Sequence, residues 1–106
     1  MLQTHKIPFY MTLSIQELID ENSHWHSVIL HIHNHLLEIK KSTRTNYFSV
    51  WTVECDDAGQ SRIYCQEDTG CERLFVGCFP FKLPSQKFYL CLNELGGYTL
   101  MLPEDY

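Results

Sequence analysis

Histidines are concentrated in one stretch of this sequence, and their imidazoles are the side chains best suited to chemistry. Five of the six histidines lie between His24 and His35. Imidazole is the commonest metal ligand in proteins and changes its charge close to neutral pH. If residues 24–40 form a strand, alternate side chains share a face, so His31, His33 and His35 would point the same way. Three imidazoles on one face would share a metal ion, which makes a metal site here one hypothesis.

The spacing His31-x-His33-x4-Glu38 resembles the first metal motif of cupin barrels over eight residues. The glycine that usually precedes this motif is missing, and no histidine follows His35 to supply a fourth ligand. Strand alternation also places Glu38 on the face opposite the histidines. On a helix, His31 and His35 would instead form an i,i+4 pair, which is a common zinc-binding geometry. The third ligand would then be His24 or a cysteine.

The secondary structure of residues 24–40 decides where these histidines point, and two patterns compete. The apolar residues fit the 3–4 spacing of a helix at Val28, Ile29, Ile32, Leu36 and Ile39. The same stretch alternates with a period of two, is rich in β-branched residues and contains few strong helix formers. Asn22-Ser23 ahead of it is a plausible break, because both side chains compete for backbone hydrogen bonds. We therefore favour a strand for residues 24–40, with a helix as the alternative.

The five cysteines carry no recognisable site of their own. Their number is odd and no C-x-x-C spacing occurs, so a full set of internal disulfides is excluded and zinc-ribbon or redox motifs are absent. Reduced, buried thiols are the expectation. Gly96-Gly97 precedes a predicted strand rather than a helix, so it lacks the helix N-terminus that binds phosphate. We expect no catalytic residue and no cofactor.

The remaining sequence predicts one short helix followed by strands. Ser14 with Glu17 three residues later forms a capping box, which predicts a helix over about 14–23. Short turns then separate strands predicted at 46–55, 60–66, 72–79, 87–92 and 98–102. Because short turns join neighbouring strands, those strands should pair antiparallel. The 106 residues predict a single α+β domain, 1–106, in which an N-terminal helix packs on a bent, five- to six-stranded antiparallel meander.

The charge balance narrows the class of partner. The formal net charge is −5, and only eight residues are Lys or Arg. Affinity for nucleic acid rests on these cations, so nucleic acid is disfavoured as a partner, whereas a larger, basic protein suits the acidic chain. No segment approaches the roughly 18 apolar residues of a membrane span. The first eight residues lack the apolar centre of a signal peptide, so we expect a cytoplasmic protein.

Aromatic residues supply the main functional indication. A single helix covers one sheet face, whereas adjacent rings such as Phe88 and Tyr89 must point to opposite faces of a strand. Some rings should therefore remain at the surface, where a partner protein or a second copy of the chain would cover them. The candidate partner-binding residues are Trp25, Tyr47, Trp51, Tyr64, Tyr89 and Tyr98.

The sequence thus favours a small, acidic, non-catalytic binding module that acts by occluding a partner protein. An inhibitor is the expected type, either an immunity protein against a toxin or a phage anti-defence protein of the anti-CRISPR kind. The alternative is a metal-binding enzyme or metal-stabilised module that uses His31, His33 and His35.

Overall fold

The computed structural model of the protein describes residues 9–41, 48–66, 72–92 and 97–106, and the side chains of residues 36–41 and 92 are not described. Along this part of the chain the elements are β1 (Phe9–Met11), α1 (Leu13–Glu21), α2 (His24–Lys41), β2 (Phe48–Cys55), β3 (Ser61–Gln66), β4 (Leu74–Phe79), β5 (Gln86–Leu92), β6 (Tyr98–Met101) and a 3-10 turn (Pro103–Asp105). The α+β class is confirmed. The helices follow a first strand, rather than opening the fold.

Helix α2 corrects the strand predicted for residues 24–40. Its buried side chains are Trp25, Val28, Ile29 and Ile32, which recur at helical spacing, whereas Leu30 is 50% exposed. Intrinsic propensity costs a β-branched residue only up to about 0.7 kcal/mol in a helix. Burying one Val or Ile side chain contributes about 1.5–3 kcal/mol. Covering the sheet with these residues therefore outweighs their local preference for a strand.

The start of α1 differs from the predicted capping box. The N-cap is Thr12, and its side chain makes no capping hydrogen bond. Its hydroxyl donates instead to Oδ2 of Asp105 at 2.7 Å, and the Ser14 hydroxyl donates to Oδ1 of the same carboxylate at 2.9 Å. The predicted capping box of Ser14 and Glu17 is therefore wrong, because a residue near the end of the chain binds both hydroxyls.

The break between the two helices lies where the sequence predicts it. Helix α1 ends at Glu21 and α2 begins at His24. The Asn22 side-chain oxygen accepts the backbone N–H of His24 at 3.0 Å, which satisfies one of the free donors at the start of α2.

The sheet is mixed and has the strand order β1-β6-β5-β2-β3-β4. Strand β1 pairs with β6 in parallel, while the other neighbours pair antiparallel. The predicted purely antiparallel meander is therefore wrong in two respects. The first strand joins the far edge in parallel, and β5 lies on the opposite side of β2 from β3 and β4.

Residues 80–85 carry the chain from β4 past the ends of β3 and β2 to β5. The Ser61 hydroxyl donates to the Phe81 carbonyl at 2.7 Å and accepts the Leu83 N–H at 2.9 Å. Leu83 is fully buried and belongs to the core. One serine at the start of β3 thus fixes the crossing segment while an apolar side chain of that segment closes the end of the core.

The hydrophobic core lies between the two helices and one face of the sheet. Its sheet-derived members include Trp51, Val53, Ile63, Phe88, Leu90, Tyr98 and Leu100. Gly59 has a φ of +80°, as expected for the turn predicted at residues 56–59, because glycine takes positive φ without steric cost. The short turn expected between the predicted strands 60–66 and 72–79, and most of the one between 87–92 and 98–102, lie outside the described residues.

Candidate functional site

The surface of the sheet that faces away from α1 and α2 is the candidate functional site, and we call it the open face. In β2, Trp51 and Val53 belong to the core; since strand side chains alternate, Phe48, Val50, Thr52 and Glu54 point the other way. The strand register extends this surface across the neighbouring strands. Those neighbours are Arg62, Tyr64, Gln66, Phe75, Cys78, Lys87, Tyr89, Cys91, Thr99 and Met101.

Two rings and two guanidinium groups form one end of the open face, which we call the Tyr64 group (Arg62, Tyr64, Arg73 and Phe75). The rings of Tyr64 and Phe75 lie 5.8 Å apart at an angle of 62°. The Arg73 guanidinium lies 4.0 Å above the Tyr64 ring, and the Arg62 guanidinium lies 5.8 Å from the Phe75 ring. Each cation–ring contact stabilises the arrangement by roughly 0.5–1 kcal/mol at a surface.

Carboxylates hold both guanidinium groups in place. Arg73 donates to Glu54 through two nitrogens, with Nη1–Oε2 at 2.9 Å and Nη2–Oε1 at 3.1 Å. This hydrogen bond from Arg73 lowers the pKa of Glu54, and desolvation of the carboxylate opposes it. Arg62 donates from Nε to Asp56 at 3.2 Å. The Tyr64 group is therefore ordered before any partner arrives.

Three further rings form the other end of the open face, which we call the Tyr89 group (Phe48, Tyr89 and Tyr106). The ring of Tyr89 lies 5.0 Å from Phe48 and 5.6 Å from Tyr106, and Phe48 lies 5.7 Å from Tyr106. These separations are typical of favourable edge-to-face contacts. Tyr106 follows the 3-10 turn and is 77% exposed, so it adds surface to the sheet from outside it.

The floor between the two groups is closed, although no helix of the described residues lies over it. Val50 is 2% exposed and Thr52 is 6% exposed. Their cross-strand neighbours are larger side chains, Tyr89 beside Val50 and Tyr64 beside Thr52, which cover the central strand. The open face is thus a packed surface with rings at both ends and not an unfilled cleft.

The six aromatic residues predicted to bind a partner divide between core and surface. Trp25, Trp51 and Tyr98 are buried within the chain, which corrects their assignment to a binding surface. Trp51 and Tyr98 alternate onto the helix-facing side of the sheet, and Trp25 packs edge-on against Phe88 at 5.7 Å. Tyr64 and Tyr89 lie on the open face. Tyr47 lies outside the described residues.

Five members of the Tyr64 and Tyr89 groups were not predicted from the sequence. Phe48, Arg62, Arg73, Phe75 and Tyr106 lie there with Tyr64 and Tyr89. The signal for Phe48 was available, because it shares strand parity with the charged Glu54, and a charge marks the solvated side of a strand. The positions of Arg73 and Tyr106 depend on tertiary contacts that no local pattern encodes.

The histidines of α2 lie on a helix, so three of them do not share a strand face as predicted. His31 Nε2 lies 2.8 Å from the Val76 carbonyl; the carbonyl only accepts, so this nitrogen carries the proton. His33 stacks on Phe9 at 4.6 Å, towards the β1 edge. His35 packs edge-on against Trp51 at 5.7 Å. The rings of His31 and His35 are 6.4 Å apart, as expected of an i,i+4 pair.

The donors for a metal ion or for thiol chemistry are dispersed in the described part of the chain. Among those residues, no group of three His, Cys, Asp or Glu is placed to hold a metal ion. The Glu38 side chain of the cupin-like spacing lies outside the described residues. Cys55, Cys78 and Cys91 are free thiols. Burial raises the pKa of Cys91, which favours the neutral thiol over the nucleophilic thiolate.

The comparisons with known proteins support the fold. No protein-family model and no curated protein sequence matches the chain. The chain is similar to a solved structure described as a protein of unknown function from Enterococcus faecalis, with a TM-score of 0.59 and 15% sequence identity. The alignment covers 94% of this chain and 91% of that one. In the described residues, no helix is both long and apolar enough to cross a membrane.

Proposed function

We propose that the protein is a small, non-catalytic protein-binding module that holds its partner against the open face. The observation that carries this proposal is the aromatic surface on the side of the sheet away from the helices. Phe75 is 56% exposed and Tyr106 more so. Exposed rings set among polar groups mark protein interaction sites, since ordinary surfaces rarely group them.

The order within the open face supports a binding role. Arg73 is bound to Glu54 by two hydrogen bonds and to the Tyr64 ring by stacking. Tyrosine and arginine are the residue types that most often dominate binding energy at interfaces. Side chains that are already fixed lose little conformational entropy when a partner binds, and this favours affinity.

The charges of the molecule suit a larger, basic protein as the partner. The net charge of −5 would steer such a protein towards the chain over distances of several ångströms to nanometres. Exposed carboxylates on α1, at Glu17, Asp20 and Glu21, contribute to that field. The open face itself carries cations as well as carboxylates, so the contact there would rest on rings more than on net charge.

We propose further that binding occludes the working surface of the partner in the cytoplasm. An inhibitor acts in this way, whether it is an immunity protein against a toxin or a phage anti-defence protein of the anti-CRISPR kind. The small size of the chain, 106 residues, suits this role, because one ordered face of the sheet would supply the whole binding surface.

The test compares a variant of the open face with a matched variant of the helix side. Phe75→Ser/Tyr106→Ser removes one exposed ring from each end of the open face. Leu13→Ser/Leu30→Ser removes two exposed apolar side chains, 74% and 50% exposed, from the helices. Each protein is used to capture partners from cells that naturally contain the gene, and the captured protein is then purified.

We expect the wild type and the helix variant to capture the same partner, and the open-face variant to retain at least tenfold less. Two hot-spot side chains contribute more than about 1.4 kcal/mol together, which corresponds to that factor. The purified partner should lose its activity at a 1:1 ratio with the wild type. Equal capture by the open-face variant, loss of capture in the helix variant, or the absence of any specific partner would contradict the proposal.

A further inference from the structure

Among the strands that the structure describes, β4 forms one edge of the sheet and carries the two most exposed apolar side chains. It stands last in the strand order, beyond β3. Leu74 is 63% exposed and Phe75 is 56% exposed. An edge strand also presents backbone N–H and C=O groups that are ready to pair with another strand. This edge is therefore a surface from which the sheet can be extended.

The two exposed side chains point to opposite faces of the sheet, because they are consecutive in a strand. Phe75 lies on the open face with Tyr64, so Leu74 projects on the helix side. A partner lying on either face would contact only one of them. A partner that covers both must continue the sheet beyond β4, which means that it contributes a strand.

The second half of β4 is partly turned inwards, although Cys78 within it is exposed, and its bulge bounds the pairing segment. A bulge interrupts the pairing of β4 with β3 next to Tyr64. At this bulge the Val76 carbonyl lies 2.8 Å from His31 Nε2, and Val76 and Phe79 pack against the core. The outward-facing segment is therefore Leu74 and Phe75 of β4 together with Glu72 and Arg73, the two exposed residues that precede the strand.

We propose that a second copy of this chain binds here, with the two β4 strands antiparallel and Leu74 opposite the partner's Leu74. This register places Arg73 opposite the partner's Phe75 on the open face, twice by symmetry. Guanidinium–ring pairs and apolar pairs across strands are both stabilising. The Arg73 side chain is 39% exposed, so it remains accessible beside its contacts with Glu54 and Tyr64.

The charge of Arg73 and the bulge at Val76 disfavour the two neighbouring registers, which would be centred on Arg73 and on Phe75. Centring the pair on Arg73 would place two guanidinium groups opposite each other, and like charges in that position are destabilising. Centring it on Phe75 would place the bulge at Val76 opposite Leu74, next to the centre of the new ladder, where it would interrupt the hydrogen bonds. In the register centred on Leu74, Val76 is reached only at the end of the ladder, opposite Glu72. The segment is thus complementary to itself in one register, as a two-fold interface requires.

In such a dimer the two open faces form one surface across twelve strands. Its formation requires no other partner protein. The first test of the proposal is cysteine cross-linking under mild oxidation. In Leu74→Cys, the two new thiols lie directly opposite each other, within the range of a disulfide. In the control Glu72→Cys, the same register offsets the new thiols by four residues, or about 13 Å. The wild type gives the background from the natural cysteines.

We expect Leu74→Cys to give a covalent dimer whose digest contains two copies of the substituted peptide joined by a disulfide, and Glu72→Cys to give neither product. Sedimentation of the wild type should show a dimer that dissociates on dilution. Leu74→Lys should remain a monomer, with the melting temperature that the wild type has when diluted to a monomer, because dimerisation itself raises the melting temperature. Leu13→Lys, at an exposed leucine of α1, should dimerise like the wild type. A wild type that stays monomeric, equal cross-linking at both positions, or dimers of Leu74→Lys would overturn the proposal.

Discussion

The imidazole of His31 lies directly against Gly77, where helix α2 meets the edge strand β4. A Cβ atom on Gly77 would lie 2.6 Å from Nε2 and 2.9 Å from Cε1 of that ring. The ring is confined, since Nε2 also contacts the Val76 carbonyl and Phe79 packs edge-on against it at 5.5 Å. The glycine therefore permits a histidine to join helix and sheet.

We expect Gly77→Ala to destabilise the protein by about 1–3 kcal/mol, because the added methyl group must displace a fixed side chain. Urea unfolding measures the change. In a His31→Ala background the clash is absent, so Gly77→Ala should then cost much less. Strict additivity of the two substitutions would show that the two residues do not meet.

Gly59→Ala is the matched control for this cycle. Gly59 also requires glycine, but through its φ of +80°, and nothing lies within 4 Å of an added Cβ. Its cost of about 1–2 kcal/mol arises in its own backbone. That cost should therefore be the same with and without His31→Ala.

Local patterns predicted most strands because strand propensity and turn residues agree there, whereas long-range pairing left no local trace. The parallel pairing of β1 with β6 joins segments almost ninety residues apart, and no turn connects them. The prediction of a strand around Val28 was wrong for another reason. Its β-branched residues satisfy both periods, and only the presence of an uncovered sheet face decides in favour of the helix.

The alternation of side chains along a strand explains why Trp51 and Tyr98, two of the predicted binding residues, are buried. Trp51 and Glu54 belong to opposite faces of β2, so the carboxylate marks the exposed side and assigns the tryptophan to the core. The prediction grouped rings by residue type without using that alternation. For Trp25 the information lay in the helix assignment itself.

The two classes of aromatic residue should differ sharply in their effect on stability. We expect Trp25→Ala to cost about 3–5 kcal/mol, as is typical of a buried ring replaced by a cavity. Tyr64→Ala should cost less than about 1 kcal/mol, because it loses only partly exposed ring and guanidinium contacts. Urea midpoints of the two variants measure the difference, and equal losses would contradict the assignment of faces.

The pair of hydrogen bonds between Arg73 and Glu54 should be specific to arginine. Arg73→Lys loses the two-pronged geometry and the planar contact with Tyr64, at a cost of about 0.5–1 kcal/mol for a pair at the surface. The pKa of Glu54 should rise in this variant, because the hydrogen bond from Arg73 is the main cause that lowers it. Titration by NMR measures the pKa. Lys87→Gln, which removes a cation that contributes less, should raise it by a smaller amount.

Asp105 ties the end of the chain to the start of α1, since its carboxylate accepts from Thr12, from Ser14 and from the Leu102 N–H. The hydrogen bond from Thr12 is the main cause that lowers its pKa, and desolvation opposes it. A lowered pKa in the folded state means that the ionised carboxylate stabilises the fold above the usual aspartate pKa of about 3.9. This contribution disappears as the pH falls through the lowered value.

We therefore expect Asp105→Ala to be less stable than the wild type at pH 7 and to approach it as the pH falls below about 4, since the wild-type carboxylate is then protonated. Urea unfolding at a series of pH values measures the difference between the two proteins. Glu104→Ala removes an equal charge from the same turn without touching these three hydrogen bonds, and its effect at pH 7 should be smaller. A stability difference for Asp105→Ala that persists unchanged at pH 2 would mean that the ionised carboxylate does not hold α1.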